Sequence, residues 1–533
     1  MRQADYIVVG AGSAGAIVAR RLADSGASVV LIEAGDPDKT RFVRKPGLIA
    51  VFHNIPQLKK KLDWGFYTVP QKHALDRKLP ATRGKVLGGS SSINGMIFVR
   101  GHQKNYDAWA AEGNEGWGWS DVLRSYKRME NWEGGASDLR GAGGPVEVTT
   151  VKNPTEGSLL FRDAMAETAG VPLIEDYNGA EQEGMSLVQQ SAHKGKRYSS
   201  SIAYLDDHNL GNLMVMTGAQ VTRVIIEDGR ATGVEVVDKT GAHTIHANAE
   251  VVISAGAYQS PQLLQLSGVG PADHLRNLGI EVKADLPVGD NLHDHMFVPL
   301  TFDMTNIPHR SNAPYFASAV MKEYIRGNTW LASTVFEVNG FVRSSLATDV
   351  PDIQILALPW GYPAPNQDAP GRHFVEPQPA LTIFSTLIYP KSRGSIRLAS
   401  ADPLAAPLID PGFLSVDDDA QVLLEGMLRI REAMKAPGIV GKVAKERTPG
   451  AQYADEKALR EEIPLRATTV YHPVGSCRMG VDERAVVDPK LKVRGIEGLR
   501  VADASIMPSI VGGNTNAPAM MIGERAAELI LEG

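Results

Sequence analysis

Residues 6–33 read YIVVGAGSAGAIVARRLADSGASVVLIE, and their pattern is the clearest indication of the fold class. An apolar, β-prone run at 6–9 leads into Gly10-Ala11-Gly12-Ser13-Ala14-Gly15, a G-x-G-x-x-G sequence. Residues 13–25 have helical spacing, and residues 28–32 form a second apolar run. This order predicts a strand, a glycine turn, a helix and a second strand, joined by a right-handed crossover.

Each glycine of this turn has a physical role. Gly10 permits the tight turn, Gly12 lets the backbone approach a pyrophosphate, and Gly15 lets the helix pack closely on the strand. The helix N-terminus offers free N–H groups and a positive dipole end to phosphates. Glu33 lies 23 positions after Gly10, near the spacing at which an acid accepts hydrogen bonds from ribose hydroxyls. The motif predicts a dinucleotide site, but by itself it does not separate FAD from NAD.

Size and composition limit the possible domain organisation, binding partners and cellular compartment. A chain of 533 residues is too long for one ordinary compact domain, so we expect two joined domains. The formal charge of −6 argues against a nucleic acid partner. Cys477 is the only cysteine, which excludes an internal disulfide and suits a reducing compartment.

The N-terminal apolar stretch does not have the pattern of a signal peptide. Residues 6–19 contain three glycines and run directly into Arg20 and Arg21, without a small-residue cleavage site. No apolar run reaches the roughly 18 residues that a membrane span requires. We therefore expect a cytoplasmic protein without a transmembrane segment.

Further segments follow along the chain, several of them glycine-rich, and together they identify a family. They are RGKVLGGSSSING at 83–95, GAYQSPQLL at 256–264 with SGVG at 267–270, VGDNLHDH at 288–295, YHPVGSCRMG at 471–480, VADAS at 501–505 and NTNAP at 514–518. In this order they resemble the glucose–methanol–choline (GMC) oxidoreductases. The resemblance covers nearly the whole chain and implies FAD as the cofactor.

The resemblance also implies the architecture. We expect an α/β fold, α+β overall, in which a Rossmann-like FAD-binding domain is interleaved with a substrate-binding domain on an antiparallel sheet. The FAD-binding domain would comprise residues 1–153, 195–297 and 465–533. The substrate-binding domain would comprise residues 154–194 and 298–464, and the latter segment would build most of the substrate pocket.

The predicted cofactor-binding residues combine the N-terminal fingerprint with the family segments. Ile93 replaces a histidine that bonds covalently to flavin in some members, so we predict non-covalent FAD. Val221 matches the position whose backbone pairs with adenine, and Asp503 is expected to fix its loop beside the cofactor. The full set is Gly10, Gly12, Ser13, Ala14, Gly15, Glu33, Ala34, Arg83, Val86, Gly88, Gly89, Ser90, Asn94, Gly95, Met96, Val221, Ala255, Gly256, Asp503, Ala504, Asn514, Thr515 and Asn516.

Two residues are predicted to be catalytic. Alcohol oxidation needs a base for the hydroxyl proton, and histidine suits that task because its ordinary pKa is about 6.5. Among the 13 histidines, His472 aligns with the family's catalytic histidine. Asn514 matches the family position that acts together with this histidine and is expected to orient the hydroxyl. Asn516 is the second choice for that role. Asn516 is also expected to cap the helix that opens near Pro518.

The segment His293-Asp294-His295 has the residue types of a metal site, but the resemblance implies a structural loop. We predict no metal there. The tryptophans Trp109, Trp117, Trp119 and Trp132 are attributed mainly to core packing rather than to sugar binding.

These observations predict FAD-dependent oxidation of a small-molecule alcohol to an aldehyde. The alcohol would be primary and choline-like, aliphatic or aromatic. The electron acceptor is oxygen, a quinone or a carrier protein, and a homo-oligomer is left open. The alternatives are a non-redox FAD-containing lyase or photodecarboxylase of the same family, and a non-catalytic flavoprotein.

Overall fold

The computed structural model describes residues 3–48, 56–206, 210–308, 313–326, 330–362 and 378–533. Its strands are β1 Gln3–Val9, β2 Val29–Glu33, β3 Glu130–Trp132, β4 Val146–Thr150, β5 Gly184–Leu187, β6 Gln189–Gln190, β7 Ala192–His193, β8 Lys196–Arg197, β9 Leu213–Thr217, β10 Gln220–Glu227, β11 Arg230–Asp238, β12 Gly241–Ile253, β13 Asp290–Leu292, β14 Met296–Met304, β15 Val338–Val342, β16 Ile353–Leu358, β17 Ala380–Leu387, β18 Gly394–Arg397, β19 Leu408–Asp410, β20 Val443–Thr448, β21 Thr468–Thr469 and β22 Leu499–Val501. Its α-helices are Gly15–Asp24, Arg41–Arg44, Pro56–Leu62, Gln103–Ala111, Trp119–Met129, Glu156–Ala169, Ser200–Tyr204, Gly256–Leu266, Ala272–Asn277, Ala313–Arg326, Asp417–Ala433, Glu456–Glu461, Ile463–Arg466 and Asn516–Glu532.

The first large sheet contains the predicted dinucleotide-binding unit. Its strand order is β10-β11-β12-β1-β2-β9, with β22 also paired to β12. β1, β2 and β9 run parallel, and β12 and β22 extend the parallel part. β10 and β11 form an antiparallel hairpin across Asp228 and Gly229, as predicted. The carboxyl ends of β1 and β2 therefore lie side by side, which brings the glycine turn next to Glu33.

The second large sheet is antiparallel. Its order is β20-β14-β17-β16-β15-β5, with β21 also paired to β14. Its central strands β14, β15, β16 and β17 are buried along their whole length. Helices Glu156–Ala169 and Asp417–Ala433 pack against this sheet and each other. The Rossmann-like sheet and the antiparallel sheet confirm the predicted fold class, while the domain boundaries stay a prediction.

The C-terminal helix Asn516–Glu532 packs on the first helix of the chain. An added Cβ on Gly523 would lie 2.7 Å from the carbonyl oxygen of Ala14, so a glycine permits this close approach. Glu524 is fully buried and forms ion pairs with Arg21 and Arg128. This packing places the start of the C-terminal helix beside the glycine turn.

The burial of the four tryptophans agrees with the expectation of core packing. Trp109 and Trp117 are fully buried in the core, and Trp119 and Trp132 pack against it. Within the described residues, no helix combines the length and the apolar character that crossing a membrane requires.

Candidate active site

The glycine turn after β1 has the geometry that the fingerprint predicts. Gly10 has φ of +95°, a backbone conformation that residues with a Cβ rarely adopt. A Cβ on Gly15 would lie 1.9 Å from the carbonyl oxygen of Gly10, so this helix-to-strand contact requires glycine. A Cβ on Gly12 would meet no described atom within 4 Å. The backbone at Gly12 therefore faces open space in which a pyrophosphate can approach it.

Glu33 at the end of β2 is buried and already holds the turn. Its carboxylate accepts hydrogen bonds from the backbone N–H of Ala11 at 3.0 Å and of Gly35 at 2.8 Å. Burial raises the pKa of Glu33 to about 7, although these two N–H groups lower it. Ribose hydroxyls would supply the further donors that a buried carboxylate needs. The residues present thus fit the nucleotide half of FAD.

One cavity of about 530 Å³ joins this turn to the predicted catalytic pair, His472 and Asn514. Most of the predicted cofactor residues line it: Gly10, Gly12, Ser13, Ala14, Glu33, Ala34, Arg83, Gly89, Ser90, Asn94, Gly95, Met96, Val221, Ala255, Gly256, Asp503, Ala504, Asn514, Thr515 and Asn516. Gly15, Val86 and Gly88 are not part of the lining. Gly15 makes the helix contact described above, Val86 is fully buried, and the Gly88 N–H donates to the carbonyl of Ala11 at 2.8 Å.

Asp503 and Asn516 hold two segments of the lining. The Asp503 carboxylate accepts from the backbone N–H of Gly256 at 2.8 Å and of Ser505 at 2.8 Å, consistent with the predicted loop-fixing role. Asn516 is the first residue of the C-terminal helix and not its cap, so that prediction is wrong. Its Oδ1 instead accepts from Ser13 Oγ at 2.8 Å, which ties this helix to the glycine turn.

The loop that includes Ile93 and Asn94 is held by a buried arginine that the sequence motifs did not indicate. Arg197 is fully buried and donates to Asn94 Oδ1 at 2.7 Å and to the carbonyl of Ser91 at 3.1 Å. Burial lowers the pKa of Arg197 to about 9. Because this guanidinium lies beside the cavity lining, it adds positive charge next to the glycine- and serine-rich loop.

The backbone around His472 is held by Asp294. Asp294 accepts from the His472 N–H at 2.7 Å and from Thr469 Oγ1 at 2.5 Å. Tyr471 has φ of +65°, a left-handed conformation that a bulky residue seldom adopts. Such strain is found where a site dictates the direction of the next side chain. Here it accompanies the entry of His472 into the cavity.

His295 contacts the imidazole of His472 and determines which nitrogen carries the proton. His295 Nε2 lies 2.9 Å from the carbonyl oxygen of Ile388, which can only accept, so Nε2 is protonated. In the neutral ring, His295 Nδ1 is then an acceptor, and it lies 3.1 Å from His472 Nδ1. His472 Nδ1 must carry the hydrogen of that bond. The lone pair of His472 is therefore on Nε2.

Asn514 faces that lone pair. Its Nδ2 lies 3.2 Å from His472 Nε2 and donates to it. Its Oδ1 accepts from Gln354 Nε2 at 3.1 Å. The two predicted catalytic residues, 42 positions apart in sequence, are thus in direct contact. A hydroxyl placed on both groups would donate to His472 Nε2 and accept from Asn514 Nδ2.

His472 is a neutral base at physiological pH. Burial lowers its pKa well below 6.5, and the positive charge of Arg83 lowers it further. Arg83 lines the same cavity and donates to the carbonyl of Tyr471. Burial also lowers the pKa of His295 to about 3, so His295 stays neutral beside it.

Aromatic and aliphatic side chains form the part of the cavity around His472. Phe384 stacks on Phe297 with ring centroids 4.1 Å apart and makes edge contacts with Phe336 at 5.7 Å and Tyr362 at 5.2 Å. The other large residues in this lining are Ile97, Val335, Leu356, Leu358, Trp360, Val470 and Tyr471. The predicted segment 298–464 contributes seven of these residues: Val335, Phe336, Leu356, Leu358, Trp360, Tyr362 and Phe384. The parts of that segment at 309–312, 327–329 and 363–377 lie outside the described residues.

The segment 293–295 has two separate roles. His293 Nδ1 lies 2.6 Å from the carbonyl of Asn291, and its Nε2 accepts from the Ile510 N–H at 3.0 Å, so this ring joins two backbone segments. His295 and Asp294 serve His472 instead. In the part of the chain that the structure describes, no group of three or more His, Cys, Asp or Glu side chains is placed to hold a metal ion. The segment is structural, as the resemblance implies, but it also forms part of the site.

Comparison with known proteins gives one consistent result. Two sequence models described as GMC oxidoreductase match residues 4–297 and 390–523. An alcohol dehydrogenase [acceptor] of Pseudomonas putida is 40% identical over 99% of this chain and 95% of its own. An oxygen-dependent choline dehydrogenase of Sinorhizobium medicae is 38% identical over 99% and 96%. A mutant formate oxidase of Aspergillus oryzae RIB40, studied for FAD modification, superposes with a TM-score of 0.90 at 27% identity, covering 99% of this chain and 98% of its own.

Proposed function

The chain belongs to the GMC oxidoreductase family and is an FAD-dependent oxidoreductase acting on CH–OH groups, and from this premise we propose that it oxidises uncharged, apolar or aromatic primary alcohols with His472 as the base. The observation that supports the proposal best is the single cavity that joins the dinucleotide turn to the His472–Asn514 pair.

Each residue of the site has its own role in the oxidation of the alcohol. Bound FAD supplies the hydride acceptor for the alcohol carbon. His472 Nε2 takes the hydroxyl proton, because it carries the lone pair, lies beside Asn514 in the cavity lining and is neutral at pH 7. Asn514 Nδ2 donates to the alcohol oxygen and stabilises the negative charge that develops as the proton leaves. The guanidinium of Arg83 favours the same charge.

Anaerobic mixing with an alcohol tests the reaction class. We expect loss of the visible absorbance of the oxidised flavin, together with about one equivalent of aldehyde per flavin. Aldehyde formation without bleaching, or bleaching without aldehyde, would contradict alcohol oxidation. A non-redox lyase would give product with the flavin still oxidised.

The substrate class follows from the charges and rings of the lining. In the described lining, the carboxylates are Glu33 and Asp503, and both are engaged with backbone N–H groups of the nucleotide side. The charged group of the lining near His472 is the cation Arg83, whereas the Asp294 carboxylate holds the His472 backbone from outside the lining. Phe297 and Phe384 stack on each other, so one face of each ring is covered. Less aromatic face is then left to bind a quaternary ammonium. A cationic alcohol would therefore be bound less well than an uncharged one.

The uncharged isostere of choline, 3,3-dimethylbutan-1-ol, isolates this effect of charge. We expect it to reduce the flavin with a second-order rate constant at least about 10-fold above that of choline, because a like charge in a desolvated pocket costs more than about 1.4 kcal/mol. Benzyl alcohol should exceed both. The measurement is anaerobic stopped-flow reduction at matched pH and ionic strength. A choline rate equal to or above that of the isostere would contradict the proposed substrate class.

Ile93 determines how FAD is held. It is 5% exposed and lines the cavity, and its side chain has no nucleophilic atom for a flavin bond. We expect acid precipitation of the holoenzyme to leave all of the FAD in the supernatant. The measurement is the ratio of supernatant to pellet absorbance, with Ile93→His as the comparison. Yellow colour retained by the precipitated wild-type chain would contradict non-covalent binding.

A further inference from the structure

Gln354 is a buried polar residue in an otherwise apolar strand, β16, which reads IQILAL. Its side chain is fully buried and does not line the cavity. Its Nε2 donates to Asn339 Oδ1 at 2.9 Å and to Asn514 Oδ1 at 3.1 Å. Its Oε1 has no hydrogen-bond partner among the described residues. Burying such an acceptor destabilises a fold, so a role outside stability is needed to explain this glutamine.

A chain of hydrogen bonds runs from the Ile388 carbonyl to Gln354, and the donor in each bond follows from the bond before it. The Ile388 carbonyl accepts from His295, His295 accepts from His472, and His472 Nε2 accepts from Asn514 Nδ2. The amide of Asn514 then presents its oxygen on the opposite side. Only a donor can be placed there, and the structure has Gln354 Nε2 at that point. The opposite orientation of Asn514 would set its oxygen against the lone pair of His472.

We infer that Gln354 is a positioning residue, which fixes the Asn514 amide so that its N–H, and not its oxygen, faces the base and the alcohol. This inference rests on the proposed roles of His472 and Asn514 and extends them to a residue in the second sheet. Asn339 supports Gln354 from the neighbouring strand, because its Oδ1 accepts the second hydrogen of the same NH₂ group.

A pH profile distinguishes this role from packing. Without the donor at 354, the Asn514 amide can turn its oxygen toward His472 Nε2, which stabilises the protonated imidazole and raises its pKa. The other ionisable groups around His472 are Asp294, His295, Arg83 and Tyr471, and the substitution changes none of them. A packing defect would lower the amount of folded holoenzyme but would leave the pKa of His472 where it was.

The experiment compares Gln354→Met, which keeps the volume but donates no hydrogen bond, with the wild-type holoenzyme. We expect flavin reduction to slow about 10-fold at pH 7, with the acid limb of its pH profile displaced to higher pH. ¹⁵N-histidine NMR of the oxidised holoenzyme should show the same rise in the pKa of His472 without turnover. Gln182→Met is the matched control, since Gln182 is a buried glutamine that donates to Gly512 at 3.1 Å without contacting Asn514.

A second variant keeps the shape at 354 and reverses the effect of pH. In Gln354→Glu, a neutral carboxyl group can donate to Asn514 Oδ1, whereas a carboxylate can only accept. We therefore expect its reduction rate to fall as pH rises, in contrast to the wild-type enzyme. A rate for Gln354→Glu that rises with pH in parallel with wild type would overturn the inference, as would equal pH displacement in Gln182→Met.

A double-mutant cycle separates this inference from the proposed function. If Gln354 acts through Asn514, then Gln354→Met should change the rate less than about twofold in an Asn514→Ala background. Equal effects in both backgrounds overturn the positioning role while the role of Asn514 stands. An Asn514→Ala enzyme that reduces its flavin at the wild-type rate overturns the proposed function of Asn514 itself.

Discussion

Replacing His472 by alanine is expected to slow reduction of the bound flavin by an alcohol about 100-fold or more. The substitution removes the imidazole that is assigned as the base, and general-base catalysis contributes about that factor. Asn514 and Arg83 would still stabilise developing negative charge, so a slow residual reaction should persist. The measurement is the anaerobic, single-turnover rate of flavin bleaching, corrected for FAD content.

The pH dependence of the wild-type rate checks the same assignment. Because burial holds the pKa of His472 well below 6.5, the base is neutral above that pKa and is lost only as pH falls through it. We expect a plateau that extends below pH 6.5 in the wild type, and no acid limb in His472→Ala. His246→Ala is a matched control, since His246 is exposed on β12. A His472→Ala rate within a few-fold of wild type would remove the assigned base.

The sequence predicted those parts of the site that are made by neighbouring residues. Gly10, Gly15 and Glu33 could be assigned because the turn and the two strands lie within one short segment with a strict physical pattern. His472 and Asn514 were found by resemblance to family segments, and the structure brings them together at 3.2 Å. Asn516 was misassigned as a cap because its type suits a helix start, whereas Ser13, 503 positions away, is its partner.

The missed residues depend on contacts between distant segments. His295 meets His472 across 177 positions, and Gln354 meets Asn514 across 160. No periodicity or spacing encodes such pairs. A usable signal was present at Gln354, because a glutamine in a buried apolar strand must find hydrogen-bond partners. At His295 the signal was the adjacency of two histidines and an aspartate, which indicated a metal site or a structural loop but not contact with the base.

Replacing His295 by phenylalanine is the second large effect that we expect, a slowing of flavin reduction by about 10- to 100-fold with His472 still present. The substitution keeps a ring in the buried space but removes the acceptor for His472 Nδ1–H. His472 would then be free to carry its proton on Nε2, and a base in that tautomer cannot take the hydroxyl proton.

If His295 keeps the proton of His472 on Nδ1, then variants at position 295 should form a graded series of rates. His295→Gln retains an oxygen that can accept from His472 Nδ1, so its rate should fall between those of wild type and His295→Phe. The double variant His295→Phe with His472→Ala should be no slower than His472→Ala alone, because both changes remove the same base. Stopped-flow reduction with one alcohol, at a pH on the wild-type plateau, measures the four variants and the wild type. If His295→Phe slows the His472→Ala enzyme by its full factor again, then His295 acts on the alcohol or on the fold directly, and the tautomer of His472 is set by something other than the carbonyl of Ile388.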